Sequence, residues 1–411
     1  MMPFQSTSNF GGRRPYHLQN HKIDWDLRLL HALIKVLSTS QRRAAMEELR
    51  GDSAQVLIDF LYILGLLQSS LPYPGLRKHI IRALYKLCKS SMLYPQCLVL
   101  KDNIVMSGEP ETGGGFGDIY RGWFRGKSLC LKAVRIFKRS ETDVMLKHQA
   151  FAKEAILWGQ LHHPNIAPFY GIYHLNESRN RIYLVSPWMQ KGNLVDYLNA
   201  NPLVTRMPFV LDVAKGLDYL HSENIIHGDL KGANVLVSDA GVACITDFGL
   251  STILTGNAFA YTPDTGPLAF SFRWLAPELL AIGNSNQWPT KFSDVWSFGS
   301  VCYQLPIRPQ GGVSPSRDRI DDDMWRIMNH CWARTPEERP TCQQILESLR
   351  RLGVVPGGQE GGGSDKALRA CQAFRAAMHT NSPKFIESSM VMDILTGRDM
   401  DPTHGIKHAN R

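Results

Sequence analysis

One short segment of the chain holds several side chains that could carry out chemistry together. Asp229 is followed two residues later by Lys231 and five residues later by Asn234, between two β-branched apolar runs, and Asp247 lies ten residues beyond the second run. A carboxylate can orient a hydroxyl nucleophile, a cation can stabilise a phosphate in transfer, and carboxylate and amide oxygens bind hard metal ions. The segment therefore predicts a catalytic loop for phosphoryl transfer, in which Asn234 and Asp247 contact the metal.

A second pair of candidate residues lies upstream of this loop. Lys132 is the only cation of the short apolar strand 129–132, where a partly buried ammonium needs an anionic partner or a phosphate. Glu154, in the helical pattern over 151–161, can supply that carboxylate. Each residue alone would be an ordinary surface charge, so the pair gains meaning only with the loop.

A glycine-rich run precedes the strand, at residues 112–117. Its backbone could fold closely over a ligand beneath a hairpin, although a flexible turn explains such a run equally well. The nearby Gly126-Lys127-Ser128 is not a P-loop, because Gly122 precedes Gly126 by four positions where that motif needs five. We interpret it as a turn between two strands.

The elements around these motifs change along the chain. With 411 residues, 44% of them hydrophobic, the chain could form one large two-lobed domain or two to three ordinary ones. Helical periodicity from residue 24 to 90 predicts a small helical bundle over 23–95, after a flexible tail over 1–22. Beyond residue 352 we predict a Gly-rich linker over 353–365 and a C-terminal tail over 366–411, with one helix at 366–378.

The net charge of +9 is concentrated at the N-terminus, where the first 100 residues contain 13 Lys and Arg and 6 Asp and Glu. A charged helical face is usually solvated, and the alternative is a docking site for an acidic protein partner or anionic lipid. We expect no nucleic-acid partner, because no aromatic platform accompanies the basic residues. The eight scattered cysteines and the lack of an apolar signal or transmembrane segment predict a cytoplasmic protein.

The motifs follow one another in an order that resembles the eukaryotic protein kinase family, over residues 103–352. They are the Gly-rich loop, the strand lysine, H-x-D-L-K-x-x-N, D-F-G and A-P-E, then the segments around Asp294, Trp332 and Arg339. The sequences of 186–193 and 227–234 are similar to those of the tyrosine-kinase-like group, in particular to the members of that group that are numerous in mushroom-forming fungi. The resemblance implies an α+β, bilobal fold with a small β-rich N-lobe and a mostly helical C-lobe, preceded by the helical bundle. It also implies ATP and Mg²⁺ as cofactors and proteins as substrates.

This resemblance gives each candidate residue a role. Lys132 would contact the α and β phosphates and be held by Glu154, while Asp229 would be the catalytic base and Lys231 the cation of the transition state. The magnesium ligands would be Asn234 and Asp247. The residues around the nucleotide would be Gly114, Gly115 and Gly117 over the phosphates, Ile119, Cys130 and Leu236 around adenine, Ser186 as gatekeeper, and Pro187, Trp188 and Met189 in the hinge. Two structural contacts are also implied, between Glu278 and Arg339 and between Asp294 and the catalytic loop.

Two residues favour Ser/Thr hydroxyls as the substrate, with dual specificity left open. Lys231, two residues after the base, is typical of serine/threonine kinases, and Ser271 stands where such kinases keep a hydroxyl that bonds the base. Gly228 replaces the usual arginine before Asp229, so we expect activity that depends little on phosphorylation of the segment after Asp247. Thr112 replaces the first glycine of the loop, which is a mild change.

Only 40 positions separate Gly299 from Arg339, which is fewer than the family ordinarily uses, so we expect a truncated C-lobe that lacks a helix. Two other functions stay open. A catalytically weak pseudokinase scaffold would bind ATP and partner proteins, and the truncation favours it. A small-molecule phosphotransferase of the aminoglycoside-kinase type shares the wording of 227–234, but the A-P-E segment and the helix around Trp296 argue against it.

Overall fold

A computed structural model of the chain describes residues 27–66, 75–114, 117–133, 151–174, 182–248, 252–253, 272–280, 288–305, 322–357, 363–378 and 387–397. These ranges contain no helix that is both long and apolar enough to cross a membrane. Some of our predictions concern residues outside them, among them Gly115, Ser271, the tail over 1–22, most of the segment after Asp247 and the helix expected to be missing near 306–321.

The N-terminal region is a bundle of amphipathic helices. Its described helices are α1 (Leu27–Ser38), α2 (Ser40–Glu47), α3 (Gly51–Leu66) and α4 (Leu76–Ser91). On α4 the apolar residues recur at intervals of three and four, so that this helix places one stripe in the core, with Ile80, Leu84 and Leu87 fully buried. The helix α3 is instead enclosed on all sides, because every residue from Leu57 to Gly65 is buried.

A mixed sheet follows the bundle. Its strands are β1 (Val99–Leu100), β2 (Val105–Met106), β3 (Thr112–Gly114), β4 (Gly117–Phe124), β5 (Lys127–Ala133), β6 (Gly171–His174) and β7 (Ile182–Pro187). The order is β1-β6-β7-β5-β4-β2, and β3 pairs with another part of β4. Strand β1 runs parallel to β6, and the other neighbouring strands are antiparallel.

The turn between β4 and β5 joins the two strands as a tight hairpin. The strands pair from Asp118↔Ala133 to Phe124↔Lys127. The two turn residues, Arg125 and Gly126, have φ of 47° and 78°, which is the left-handed pair that a two-residue hairpin requires. The prediction that Gly126 belongs to a turn between strands, and not to a P-loop, is therefore confirmed.

The helix α5 (residues 151–159) lies between the sheet and the bundle. The larger lobe beyond β7 is mostly helical, with α6 (Leu194–Ala200), α7 (Met207–Ser222), α8 (Lys291–Gln304), α9 (Asp322–Cys331) and α10 (Cys342–Arg351). Its short strands are β8 (Ile225–Ile226), β9 (Val235–Val237), β10 (Ala243–Ile245) and β11 (Thr252–Ile253), paired as β9 with β10 and β8 with β11. The predicted α+β, bilobal fold with helices ahead of it is confirmed.

Two C-terminal helices return to the N-terminal half of the molecule. They are α11 (Gly363–Ala377) and α12 (Ser388–Thr396). On α11, Phe374 is buried and stacks on Tyr170 beside β6, with 4.0 Å between ring centroids and 9° between the planes. On α12, Val391 and Leu395 join the same apolar core as α1 and α3. The structure thus contains a helix at the place predicted for 366–378, and α12 is a helix that we did not predict.

Candidate active site

Lys132 lies at the centre of a cluster of buried charges. Its Nζ is 2.8 Å from Glu154 Oε1 and 2.9 Å from Asp247 Oδ1. The alternation of β5 explains the position of Lys132, because Leu129 and Leu131 enter the core on one face while Lys132 points to the other. Three chemical groups that the sequence separates by up to 115 positions are therefore brought into direct contact.

Burial and charge act against each other in this cluster. Burial alone would lower the pKa of Lys132, but Asp247 and Glu154 outweigh burial and hold that pKa above its usual value. Burial would raise the pKa of Asp247, yet Lys132 outweighs burial and lowers it. Burial raises the pKa of Glu154, which Lys132 offsets only in part. Lys132 is therefore a permanent cation beside an ionised Asp247.

The backbone of Asp247 adopts an unusual conformation. Its φ is +66°, in the left-handed region that a residue with a side chain enters only when its surroundings enforce it. The residue comes directly after β10 and Thr246, whose N–H donates to the carbonyl of Asn234, and before Phe248, which is fully buried. This conformation allows Phe248 to enter the core while the carboxylate of Asp247 reaches Lys132.

The predicted catalytic loop places two polar side chains around one carboxylate. Lys231 Nζ lies 2.7 Å from Asp229 Oδ2, and Asn234 Nδ2 donates to the same oxygen at 3.0 Å and to the carbonyl of Asp229 at 2.8 Å. Because its amide nitrogen is used within the loop, Asn234 keeps its side-chain oxygen for a cation. The loop lies between β8 and β9, as the β-branched runs predict.

A buried carboxylate of α8 anchors this loop from below. Asp294 is 1% exposed and accepts hydrogen bonds from the backbone N–H of His227 at 2.8 Å and of Gly228 at 2.9 Å. Its Oδ2 is also 3.0 Å from Nε2 of His221. Two oxygens on a rigid helix thus fix the backbone immediately before Asp229. The predicted contact between Asp294 and the loop is present.

Four aromatic rings connect the loop to α5, and sequence reasoning did not identify them as a unit. Phe169 stacks on Trp158 with 4.9 Å between centroids, Trp158 lies 5.8 Å from Phe248, and Phe248 lies 5.7 Å from His227. Trp158 follows Glu154 by four residues, so both are on one side of α5. That spacing was a usable signal, whereas Phe169 belongs to no motif.

The candidate nucleotide residues lie along the strands that lead from this cluster. Gly114 pairs with Gly117 across the β3–β4 hairpin, and Ile119 pairs with Lys132. Cys130 pairs with Ser186. Leu236 pairs with Asn193, which lies four positions after Met189. The strand order thus brings the predicted adenine contacts to the same side of the molecule as Lys132.

The side chains present fit ATP and a magnesium ion. Asp247 uses one oxygen for Lys132 and has a second, and Asn234 offers its amide oxygen, so the pair supplies the oxygen ligands that Mg²⁺ prefers. Near them, Lys132 and Lys231 supply cations for phosphate oxygens. The donor set therefore fits the phosphoryl-transfer site that the sequence predicts.

The predicted contact in the larger lobe is also present. Arg339 Nη1 and Nη2 lie 2.6 and 2.7 Å from the two carboxylate oxygens of Glu278, and the guanidinium is fully buried. A third nitrogen, Nε, donates to the carbonyl of Ala333. This two-bond contact joins the short helix Pro277–Leu279 to the segment before α10.

Comparison with known proteins agrees with this geometry. Residues 109–349 match the family model described as protein tyrosine and serine/threonine kinase. The chain is 30% identical to tyrosine-protein kinase csk-1 of Caenorhabditis elegans over 277 residues, which are 62% of this chain and 48% of that protein. It is also 30% identical to tyrosine-protein kinase abl-1 of the same organism over 304 residues, or 69% of this chain and 23% of that protein. The chain thus spans less than half the length of either relative. Since the family match covers more than half of the chain and the whole cluster around Lys132, the chain belongs to the protein kinase family.

Proposed function

We propose that this protein transfers the γ-phosphate of ATP to serine and threonine hydroxyls of protein substrates in intracellular signalling, with Mg²⁺. The observation that carries the proposal is the position of Lys132, between Glu154 and Asp247 and within the lobe that precedes Asp229. A fold that lacked any one of these contacts would have no fixed cation for the phosphates. In this protein Lys132 makes both contacts, and all three side chains are largely shielded from solvent.

Each residue then has a role that follows from its chemistry. Asp229 would orient the substrate hydroxyl and accept its proton, and Lys231, 2.7 Å away, would stabilise charge on the transferred phosphoryl group. Lys132 would hold the non-transferred phosphates, because Glu154 fixes its direction. Magnesium, held by Asn234 and Asp247, would neutralise phosphate charge when bound.

The preference for serine and threonine rests on Lys231. Its contact with Asp229 places a cation beside the base, where the resemblance to serine/threonine kinases expects one. The two relatives named above are tyrosine-protein kinases, which makes tyrosine the competing acceptor. The acceptor residue should therefore be measured directly.

The test is magnesium-dependent transfer of labelled phosphate from ATP to dephosphorylated casein, followed by analysis of the labelled amino acid. We expect label on serine and threonine, and a loss of about 100- to 10,000-fold in the Asp229→Asn variant, which keeps the size of the side chain. Label mainly on tyrosine would contradict the specificity. ATP binding without transfer would favour a pseudokinase scaffold, and transfer only to small alcohols would favour a small-molecule phosphotransferase.

We also propose that the protein acts in the cytoplasm. A separate proposal is that its basic N-terminal helices bind an acidic protein partner. Partial burial and the cations Lys78, Arg82 and Arg43 lower the pKa of His79, which indicates that these charges are close together on the bundle. Binding through them would weaken as salt is raised. A partner that stayed bound equally well in 0.5 M salt would argue against this mode.

A further inference from the structure

The guanidinium of Arg375, on α11, binds the backbone of the segment that follows α5. Its Nε donates to the carbonyl of Tyr170 at 2.9 Å, and its Nη2 donates to the carbonyl of Phe169 at 2.9 Å. The neighbouring Phe374 stacks on the ring of Tyr170, so α11 contacts this segment through both apolar and polar groups. A helix near the end of the chain therefore fixes the backbone just before β6.

The same guanidinium also reaches the N-terminal bundle. It interacts electrostatically with the phenol of Tyr62, on α3, and the hydroxyl of Tyr62 donates to the carbonyl of Gly159 at 2.8 Å. The side chain of Gln160 donates to the carbonyl of Tyr62 at 3.1 Å. Arg375 is thus connected to both ends of the loop 160–170, directly at one end and through Tyr62 at the other.

Direct contacts lead from this junction to the catalytic cluster. The ring of Phe169 stacks on Trp158, whose Nε1 donates to the carbonyl of Ala167 at 2.7 Å. Trp158 and Glu154 are one helical turn apart on α5. A shift of the backbone at Phe169 would therefore displace Trp158, and with it the carboxylate that holds Lys132.

We propose that Arg375 is a positioning residue for phosphoryl transfer, which keeps α5 in the place where Glu154 binds Lys132. This inference rests on the proposed function. Arginine suits the task because its planar guanidinium carries several N–H donors, which can serve two carbonyls and a phenol at once. Lysine could keep the charge but could not hold the three oxygens in a fixed geometry.

The test compares Arg375→Ala and Arg375→Lys with the matched control Arg369→Ala, an exposed arginine on the same helix. We expect Arg375→Ala to lower kcat/KM for ATP about tenfold, Arg375→Lys to restore little of it, and the control to change nothing. The decisive measurement repeats Arg375→Ala in a Glu154→Gln background. If Arg375 acts through Glu154, the second substitution adds almost no further loss. If the loss of kcat/KM in the double variant equals the product of the losses in the two single variants, the proposal is wrong.

A second measurement does not depend on turnover. In the folded full-length protein, Arg375→Ala should speed amide hydrogen exchange across 151–159 at least tenfold, while exchange in α10 stays the same. Unchanged exchange at 151–159 would overturn the inference, whatever the activity. If the wild type binds ATP but transfers no phosphate, the proposed function fails, and the exchange result still decides whether Arg375 positions α5.

Discussion

Two largely buried cations support α5, one directly and one through the segment that follows the helix, and their partners differ in kind. In the cleft, Lys132 contacts two carboxylates, Glu154 and Asp247. Beyond the end of α5, Arg375 contacts two backbone carbonyls and interacts with the phenol of Tyr62. The helix itself is thus held by formal charges, and the segment after it by neutral oxygens of the fold.

The difference indicates which contact can change during turnover. Phosphate oxygens can replace a carboxylate beside Lys132, because both are anions and the lysine has three donors. Arg375 instead binds the carbonyls of Phe169 and Tyr170, which belong to the backbone and which no substrate group would replace. The contacts of Lys132 can therefore change when a nucleotide binds, whereas the contacts of Arg375 form a fixed support.

The largest effect should come from removing the cation on the cleft side. Lys132→Met should lower phosphate transfer about 100- to 1,000-fold, because a positioned donor to the phosphates is lost. The matched control is Lys127→Met, an exposed lysine on the same strand, which should keep full activity. Steady-state kinetics with both variants checks this. Near-normal activity of Lys132→Met would mean that the cluster is only structural.

A pH-dependent effect is expected next, on the supporting side. Burial raises the pKa of Asp59, on α3, from 3.8 to about 6. The folded protein then binds a proton more tightly than the unfolded chain, so its stability falls as pH rises from 4 to 6 and stays lower above that. Asp247, whose pKa is lowered, has the opposite sign and loses its contribution only in stronger acid.

Asp59→Asn should remove the charge that causes this loss. The free energy of unfolding of Asp59→Asn, relative to wild type, should increase by about 2 kcal/mol between pH 4 and pH 7. Denaturant titrations at four pH values measure this difference, in which other titrating groups cancel. Parallel stability curves for the two proteins would show that Asp59 is ionised at its ordinary pKa.

A smaller effect is expected from Tyr62→Phe. The change removes the hydroxyl that connects Arg375 to Gly159, so the free energy of unfolding should fall by about 1–2 kcal/mol, with a few-fold loss of activity. Thermal unfolding and initial rates check both values. Full activity at unchanged stability would mean that the bundle does not support α5 through this contact.

The smallest effect is expected in the segment after Asp247. If α5 is supported from the bundle and tail, a phosphate on that segment is not needed to hold it. Replacing Thr252, Thr255, Tyr261, Thr262 and Thr265 together by alanine should change kcat less than about threefold. A folded variant without turnover would contradict this and would place control of α5 in that segment.

The sequence was informative wherever chemistry requires particular residues at short spacings. Asp229, Lys231 and Asn234 could be predicted to act together because the loop that joins them is only a few residues long. The hairpin turn at Gly126 was predictable for the same local reason. Lys132 and Glu154 could be suggested as partners from their charges alone, but only the resemblance gave the pair a role, since their contact depends on the packing of α5 beneath the sheet.

The support at the end of α5 could not be predicted. Tyr62 and Arg375 lie more than 300 positions apart, in no motif, and each alone reads as an ordinary helical residue. Their contact depends on how α11 packs against β6, which stacking of Phe374 on Tyr170 decides. The helix α12 was missed because its nine residues are too short for a clear helical pattern.

The pairing of β1 with β6 affects how this protein could be shortened. Residue Gly171, with φ +151°, has the carbonyl oxygen of Leu98 only 2.4 Å from where a Cβ would stand, so the residue before β1 and the first residue of β6 meet as closely as glycine permits. A fragment that began at residue 103 would lose β1 and leave one edge of β6, at Ile172 and Tyr173, without its partner strand. An unpaired strand edge beside leucines that are newly exposed to solvent would favour aggregation of the fragment.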